Sequence, residues 1–161
     1  MPAEYTVELE GIEEIDAYLA RFPQIVQEET GDAMRRAVFV VRANVQRETP
    51  RYQGRLVSSI GGRVESVFGG RVEGVVYSDL EYAVPVELGR QPGSFPPLEP
   101  IRRWCHLVLG DESLAFVVAR KIATVGTRPR AMFAKGWLAS KAMVSSLFQQ
   151  ALARIVARIR R

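Results

Sequence analysis

The chain has 161 residues, of which 47% are hydrophobic and 25% are charged. These proportions are typical of a globular domain and exclude a largely disordered chain. The formal net charge of +4 is small, whereas proteins that grip nucleic acid concentrate more cations on one face. A single cysteine, Cys105, allows no intramolecular disulfide, so we expect synthesis in the cytoplasm.

The first residues contain neither a basic segment nor an apolar run behind it, so we expect no signal peptide. No apolar stretch approaches the roughly 20 residues that span a bilayer, so we expect no membrane association. The length suits one domain with one core, and we predict a single domain over residues 1–161.

The N-terminal part of the chain predicts a short strand followed by helix. Residues 4–10 alternate apolar and polar side chains, which is the strand pattern. Apolar residues then recur at helical spacing over residues 12–22. Pro23 either interrupts this helix or begins the next one, which runs over about residues 24–48.

A β-hairpin is predicted over residues 63–78, because two alternating runs flank Gly69-Gly70, a pair that suits a tight turn. Residues 82–88 predict a third strand. Pro85 lies inside that run and cannot donate a hydrogen bond, so the strand is expected at the edge of the sheet.

The rest of the chain predicts helices. A loop rich in proline and glycine leads to a helix over about residues 98–109. Gly110 is expected to end this helix, and Asp111 is expected to cap the next one. Gly126 ends that second helix, and the last helix runs over about residues 131–160. We therefore predict a helical insertion over approximately 94–126 and a basic C-terminal helix end over 150–161.

Helices before and after a run of strands, rather than alternating with them, indicate an α+β fold. The predicted architecture is a small antiparallel sheet, made of the hairpin plus an edge strand. It packs against a long N-terminal helix and a long C-terminal helix, with the two helices inserted between them.

The sequence offers little for catalysis. His106 is the only histidine, and the neighbouring Cys105 points about 100° away on a helix, so the two do not easily chelate one ion. Cys105 is expected to pack in the core, and Glu13, Glu14, Glu28 and Glu29 are expected to be solvated. We predict a protein that is not an enzyme and that uses no cofactor or metal.

Three short segments have the composition of tight connections: residues 49–60, 82–89 and 126–133. In the first, Pro50 sets the direction in which a helix exits and Gly54 permits an unusual backbone angle. The second carries one carboxylate beside a glycine, and the third is a turn between two helices. Taken singly, each is an ordinary connector.

In this order, the three segments resemble those of head–tail connector proteins, also called neck or tail-completion proteins, of long-tailed double-stranded-DNA phages. The family patterns are Thr-Pro-x-x-Thr-Gly-x-Leu-x-x-Ser-Ile, Tyr-Ala-x-x-x-Glu-x-Gly and Gly-Thr-x-Pro-x-x-Phe, with a proline-rich loop and a Trp-containing helix before the last. Gln53 replaces the threonine before the glycine. The resemblance covers roughly residues 30–145. The matching residues are Thr49, Pro50, Gly54, Leu56, Ser59, Ile60, Tyr82, Ala83, Glu87, Gly89, Pro96, Pro97, Trp104, Gly126, Thr127, Pro129 and Phe133.

The resemblance implies a structural role in the virion. Such proteins form homo-oligomeric rings, commonly six-fold or twelve-fold, that join the DNA-filled head to the tail and line or surround the DNA channel. The implied partners are neighbouring neck, head-completion and tail proteins, with weak, non-specific proximity to double-stranded DNA. The implied location is the neck of a virion whose proteins are made in the host cytoplasm.

Ring closure requires apolar surface that is exposed in the monomer and buried on assembly. The candidate contact residues between subunits or rings lie in and beside the proline-rich loop. They are Phe95, Pro96, Pro97, Leu98, Glu87 and Arg90. Alternatively, Phe95 folds back onto the core of its own subunit.

The C-terminal helix end supplies candidate basic residues that face the DNA channel or the tail: Arg154, Arg158, Arg160 and Arg161. Alternatively, these cations are solvated or contact protein at a helix C-terminus, where positive charge is favoured. The alternative function is a small basic nucleic-acid-binding protein that uses this helix. An enzyme is the poorest of the three hypotheses.

Overall fold

The structure is a computed structural model that describes residues 12–51, 53–67 and 71–160. The predicted strand over residues 4–10, the turn at Gly69-Gly70 and the residue Arg161 lie outside these ranges. The elements in chain order are α1 (Ile12–Glu48), α2 (Arg55–Ser58), β1 (Ile60–Val67), β2 (Arg71–Ser78), α3 (Ala83–Leu88), α4 (Leu98–Trp104), a π-helical turn (Cys105–Leu109), a 3-10 turn (Glu112–Leu114), α5 (Ala115–Val125) and α6 (Met132–Ile159). The predicted α+β fold is confirmed.

The first helix continues through Pro23, so the expectation of a break or a restart at this residue is wrong. A proline inside a helix removes one hydrogen bond and costs about 3 kcal/mol. Pro23 lies on the exposed side of α1. The long packing contact of α1 with α6 sustains the helix, because most helical stability in proteins comes from tertiary packing.

Helices α1 and α6 run antiparallel at very close range. Asn44 donates to the Ser140 hydroxyl (2.9 Å), whereas near the opposite end Arg154 donates to Glu29 (2.6 Å). A Cβ atom added at Gly136 would lie 2.7 Å from the backbone N and Cα of Val45, so only glycine allows this approach. The buried small residues along the contact are Ala33, Ala37, Gly136, Ser140 and Ala151.

The predicted hairpin is present and begins earlier than expected. Strands β1 and β2 pair antiparallel, from Ile60 opposite Ser78 to Val67 opposite Arg71. One face of the sheet packs on α1, since a Cβ atom at either Gly62 or Gly74 would lie 2.6 Å from Val38. Glycine at both positions therefore lets the sheet approach the helix.

The predicted third strand is wrong, because residues 83–88 form the short helix α3. Pro85 falls in the first turn of α3, where the backbone N–H groups have no intrahelical partner and a proline is tolerated. Within the ranges that the structure describes, the sheet has two strands and no edge strand joins it.

The two helices predicted between α3 and α6 are present, and they pack mainly on each other. Gly110 ends the first with φ 74°, and Asp111 accepts a hydrogen bond from the backbone N–H of Ser113 (2.9 Å) at the start of the next. The predicted stop and cap are thus confirmed. Among the described residues, no helix combines the length and the apolar character needed to cross a membrane.

Candidate assembly surface

The three segments that carry the resemblance meet at the start of α6. They contribute Leu56 and Ile60, Ala83, and Met132 to one buried cluster, which Val45 of α1 completes. Burying side chains from all three segments together stabilises them by about 1.5–3 kcal/mol for each large apolar residue. We call this cluster the α6 junction.

A buried hydroxyl links the first segment to the third. Thr49 is 3% exposed, and its Oγ1 donates to the Val45 carbonyl oxygen (2.6 Å) while lying 3.4 Å from Met132 Sδ. The first segment then turns sharply at Gly54, whose φ of 71° favours glycine, as the sequence predicted.

The side chain of Glu87 links the second segment to the third. Its two carboxylate oxygens accept hydrogen bonds from the backbone N–H groups of Phe133 (2.9 Å) and Ala134 (3.2 Å). Ala131, the residue before α6, has no side-chain group that could cap these donors. Glu87 therefore caps α6 from another helix, where its negative charge also suits the helix dipole.

Arg90 lies at the base of the helical insertion. Its backbone pairs with Thr127 through two hydrogen bonds of 3.1 and 2.8 Å, so the chain enters and leaves the insertion at one point. Gly89 and Gly126 flank this pair with φ values of 75° and 77°. A side chain at either glycine would run into backbone atoms of the opposite segment.

The proline-rich loop is only partly exposed. The Phe95 ring lies 5.7 Å from the Phe116 ring of α5 and is still 46% exposed. Pro97 is exposed, whereas Leu98 is half-buried and Pro96 is buried. The exposed apolar part of the loop is therefore Phe95 and Pro97, and its role as a contact surface stays a prediction.

Two of the four candidate basic residues are paired with α1. Arg154 donates to Glu29 (2.6 Å), and Arg158 donates to both Glu28 (3.0 Å) and Glu29 (3.2 Å). The Glu29 side chain is only 12% exposed, so the expectation that it is solvated is wrong. Arg160 is exposed.

These ion pairs shift the ionisation of their members. The hydrogen bond from Arg154 lowers the pKa of Glu29 below its ordinary value, and the bond from Arg158 acts in the same direction. The hydrogen bond to Glu28, and then that to Glu29, raises the pKa of Arg158. Two guanidinium groups of this helix end, those of Arg154 and Arg158, therefore form ion pairs within the subunit.

Cys105 and His106 point to different environments. Cys105 is fully buried, which confirms its predicted place in the core, whereas His106 is exposed. Burial separates the thiol from the imidazole, so the two do not form a nucleophile–base pair.

Two exposed apolar features were not predicted from the sequence. The π-helical turn shifts the helical phase after Cys105, and Val108 is 53% exposed with Leu107 and Leu109 beside it. A groove of about 810 Å³ also separates α2 and α3 from α4 and α5. Neither a phase shift nor a groove between distant segments leaves a pattern in the sequence.

We expect Glu87→Ala to destabilise the chain by about 1 kcal/mol, because two N–H groups at the start of α6 lose their acceptor. Glu87→Gln keeps one acceptor oxygen and should cost less. Denaturant unfolding measures both free energies, and Glu81→Ala is the matched control because Glu81 is exposed. Equal stability of Glu87→Ala and Glu81→Ala would contradict the cap.

We expect the ion pair of Glu29 to make stability depend on pH. Its folded-state pKa lies below the ordinary 4.5, so its contribution is complete above that value and is lost as the pH falls through the folded pKa. Glu29→Gln should therefore lower Tm at about pH 7, and this difference in Tm should shrink as the pH falls below the ordinary pKa of glutamate. The exposed Glu73→Gln is the control, and a Tm difference that stays constant with pH would refute the assignment.

Comparison with known proteins gives a family match. No curated protein and no solved structure matches the chain. Residues 13–89, slightly less than half of the chain, match a family model described as "Bacteriophage HK97-gp10, putative tail-component". The match spans most of α1 and all of α2, the hairpin and α3. The predicted resemblance to phage neck and tail proteins is thus confirmed: residues 13–89 are similar to a family described as a putative tail component of bacteriophages.

Proposed function

We propose that this chain is a structural protein of the phage neck. Its copies form a ring that joins the DNA-filled head to the tail and surrounds the DNA channel, and it performs no catalysis. Its partners are the neighbouring neck, head-completion and tail proteins. The family match over residues 13–89 supports a structural role in the virion, and the surface of the subunit supports assembly.

The observation that carries this proposal is the amount of large apolar side chain left exposed. Monomeric proteins rarely expose extended apolar surface, and such surface marks protein contacts. Here it occurs mostly on α6 and on the helical insertion, with further residues on α3 and α1. The most exposed of these residues are Leu88, Leu138, Leu152, Val117 and Val125.

The ion pairs of α6 favour a channel that does not hold DNA tightly. Arg154 and Arg158 are already neutralised by Glu28 and Glu29, so they add little positive potential to the surface. We infer that these two arginines fix the α1–α6 pair and that Arg160 is the residue available to the channel. Because two of the arginines at this helix end are already paired, we expect weak DNA binding that salt abolishes.

The ring is tested by negative-stain electron microscopy and native mass spectrometry of the purified chain, alone and with the neighbouring neck and tail proteins. We expect closed rings of uniform copy number, and the same protein in purified virions. A chain that stays monomeric with every neighbour and never enters the virion would overturn the proposal.

The nucleic-acid-binding alternative is tested by titrating duplex DNA at low and moderate salt. We expect weak binding at low salt that is lost at moderate salt and reduced by Arg160→Ala. Arg154→Ala should mainly lower Tm, because it removes an ion pair rather than a free cation. Tight binding that survives moderate salt would favour a dedicated nucleic-acid-binding protein.

A further inference from the structure

The groove between α3 and α4 has an apolar floor and a charged rim. Its floor includes Leu56, Val86, Ile101 and Trp104, which come from both sides of the gap. Its volume of about 810 Å³ is large enough for several side chains. The floor is therefore shaped to receive an apolar segment.

The rim of the groove is mainly positive. Arg55 and Arg103 are both exposed at its edge. Glu99 lies 3.6 Å from Arg103 and offsets one of these charges. Because one cation remains in excess, the rim favours an apolar segment that carries carboxylates beside it.

The π-helical turn at the far end of α4 has this composition. Leu107, Val108 and Leu109 are 60%, 53% and 47% exposed, and they are followed by the exposed carboxylates Asp111 and Glu112. Hydrogen bonds from the Ser113 side chain and backbone lower the pKa of Asp111, which keeps it ionised. We call residues 107–112 the tip.

The tip cannot fill the groove of its own subunit. Trp104 in the groove and Val108 in the tip belong to one continuous helical rod, because α4 passes directly into the π-helical turn. At about 1.5 Å per residue, the rod carries the tip away from Trp104 rather than back towards it. A tip that enters this groove therefore belongs to another molecule.

We propose that the tip of one subunit docks in the groove of the next copy of this chain. Leu107 and Val108 lie on the apolar floor, while Asp111 and Glu112 face Arg55 and Arg103. The inference rests on the proposed ring and names the surfaces that close it. Tip and groove are different patches, so the contact is head-to-tail, and such contacts build rings instead of isolated dimers.

Two variants disable one half of the contact each. Leu107→Ser with Val108→Ser alters the tip at exposed positions. Tyr82→Asp alters the groove, where Tyr82 is 44% exposed and precedes α3 at a position that favours aspartate. Lys121→Ser, at an exposed residue of α5 that lies outside both surfaces, is the matched control. Circular dichroism and Tm verify that each variant folds.

Chemical crosslinking at high concentration and native mass spectrometry measure assembly of the full chain. We expect the wild-type chain and Lys121→Ser to give a series of crosslinked species whose largest member is the ring. The tip and groove variants should each weaken association by at least about tenfold. An equal mixture of the two variants should give one-to-one pairs and nothing larger, because only one native interface can form between them.

The outcomes separate this inference from the proposed function. If the tip and groove variants assemble as the wild type does, the ring stands and the tip–groove contact is wrong. If the variants lose assembly but their mixture restores complete rings, the contact is not head-to-tail, and the inference is also wrong. If the wild-type chain gives no such crosslinked series alone or with its neighbours, the ring itself fails.

Discussion

The fold depends on the α6 junction, where a helix without a cap of its own receives one from another part of the chain. The first N–H groups of a helix need acceptors, and Ala131 supplies none. The carboxylate of Glu87 accepts from Phe133 and Ala134, while Met132 is buried beside Thr49. These contacts set where α6 begins and, because the helix is rigid over 28 residues, where it runs along α1.

The contact of α1 with α6 extends this constraint along the subunit. Gly136 allows the helix backbones to meet at Val45, and Arg154 and Arg158 close the opposite end on Glu28 and Glu29. Side chains that look like a basic surface in the sequence therefore act inside the subunit. The large exposed apolar side chains are concentrated on α6 and on the insertion, whose two ends meet at the Arg90–Thr127 pair.

The sequence predicted the long helices, the hairpin and the fold class, because each has a clear hydrophobic period or turn signal. It failed over residues 82–88, because this run of seven residues fits both a strand and a short helix. The position of Pro85 decides between the two only once the start of the helix is known. It placed Glu87 among contact residues, whereas the carboxylate caps α6. The groove, the ion pairs and the phase shift at Cys105 depend on how distant elements pack, which periodicity does not reveal.

The central claim has two parts. The three motif segments hold the subunit together at the α6 junction, and the helical insertion provides the surface for assembly. Amide hydrogen exchange, compared between the free and the assembled full chain, tests it most directly. We predict that the backbone amides around Thr49, Ala83 and Phe133 are already protected in the free chain and change little. New protection should appear over residues 98–112, which include the tip and one wall of the groove. New protection at Thr49 and Phe133, with residues 98–112 unchanged, would contradict the account.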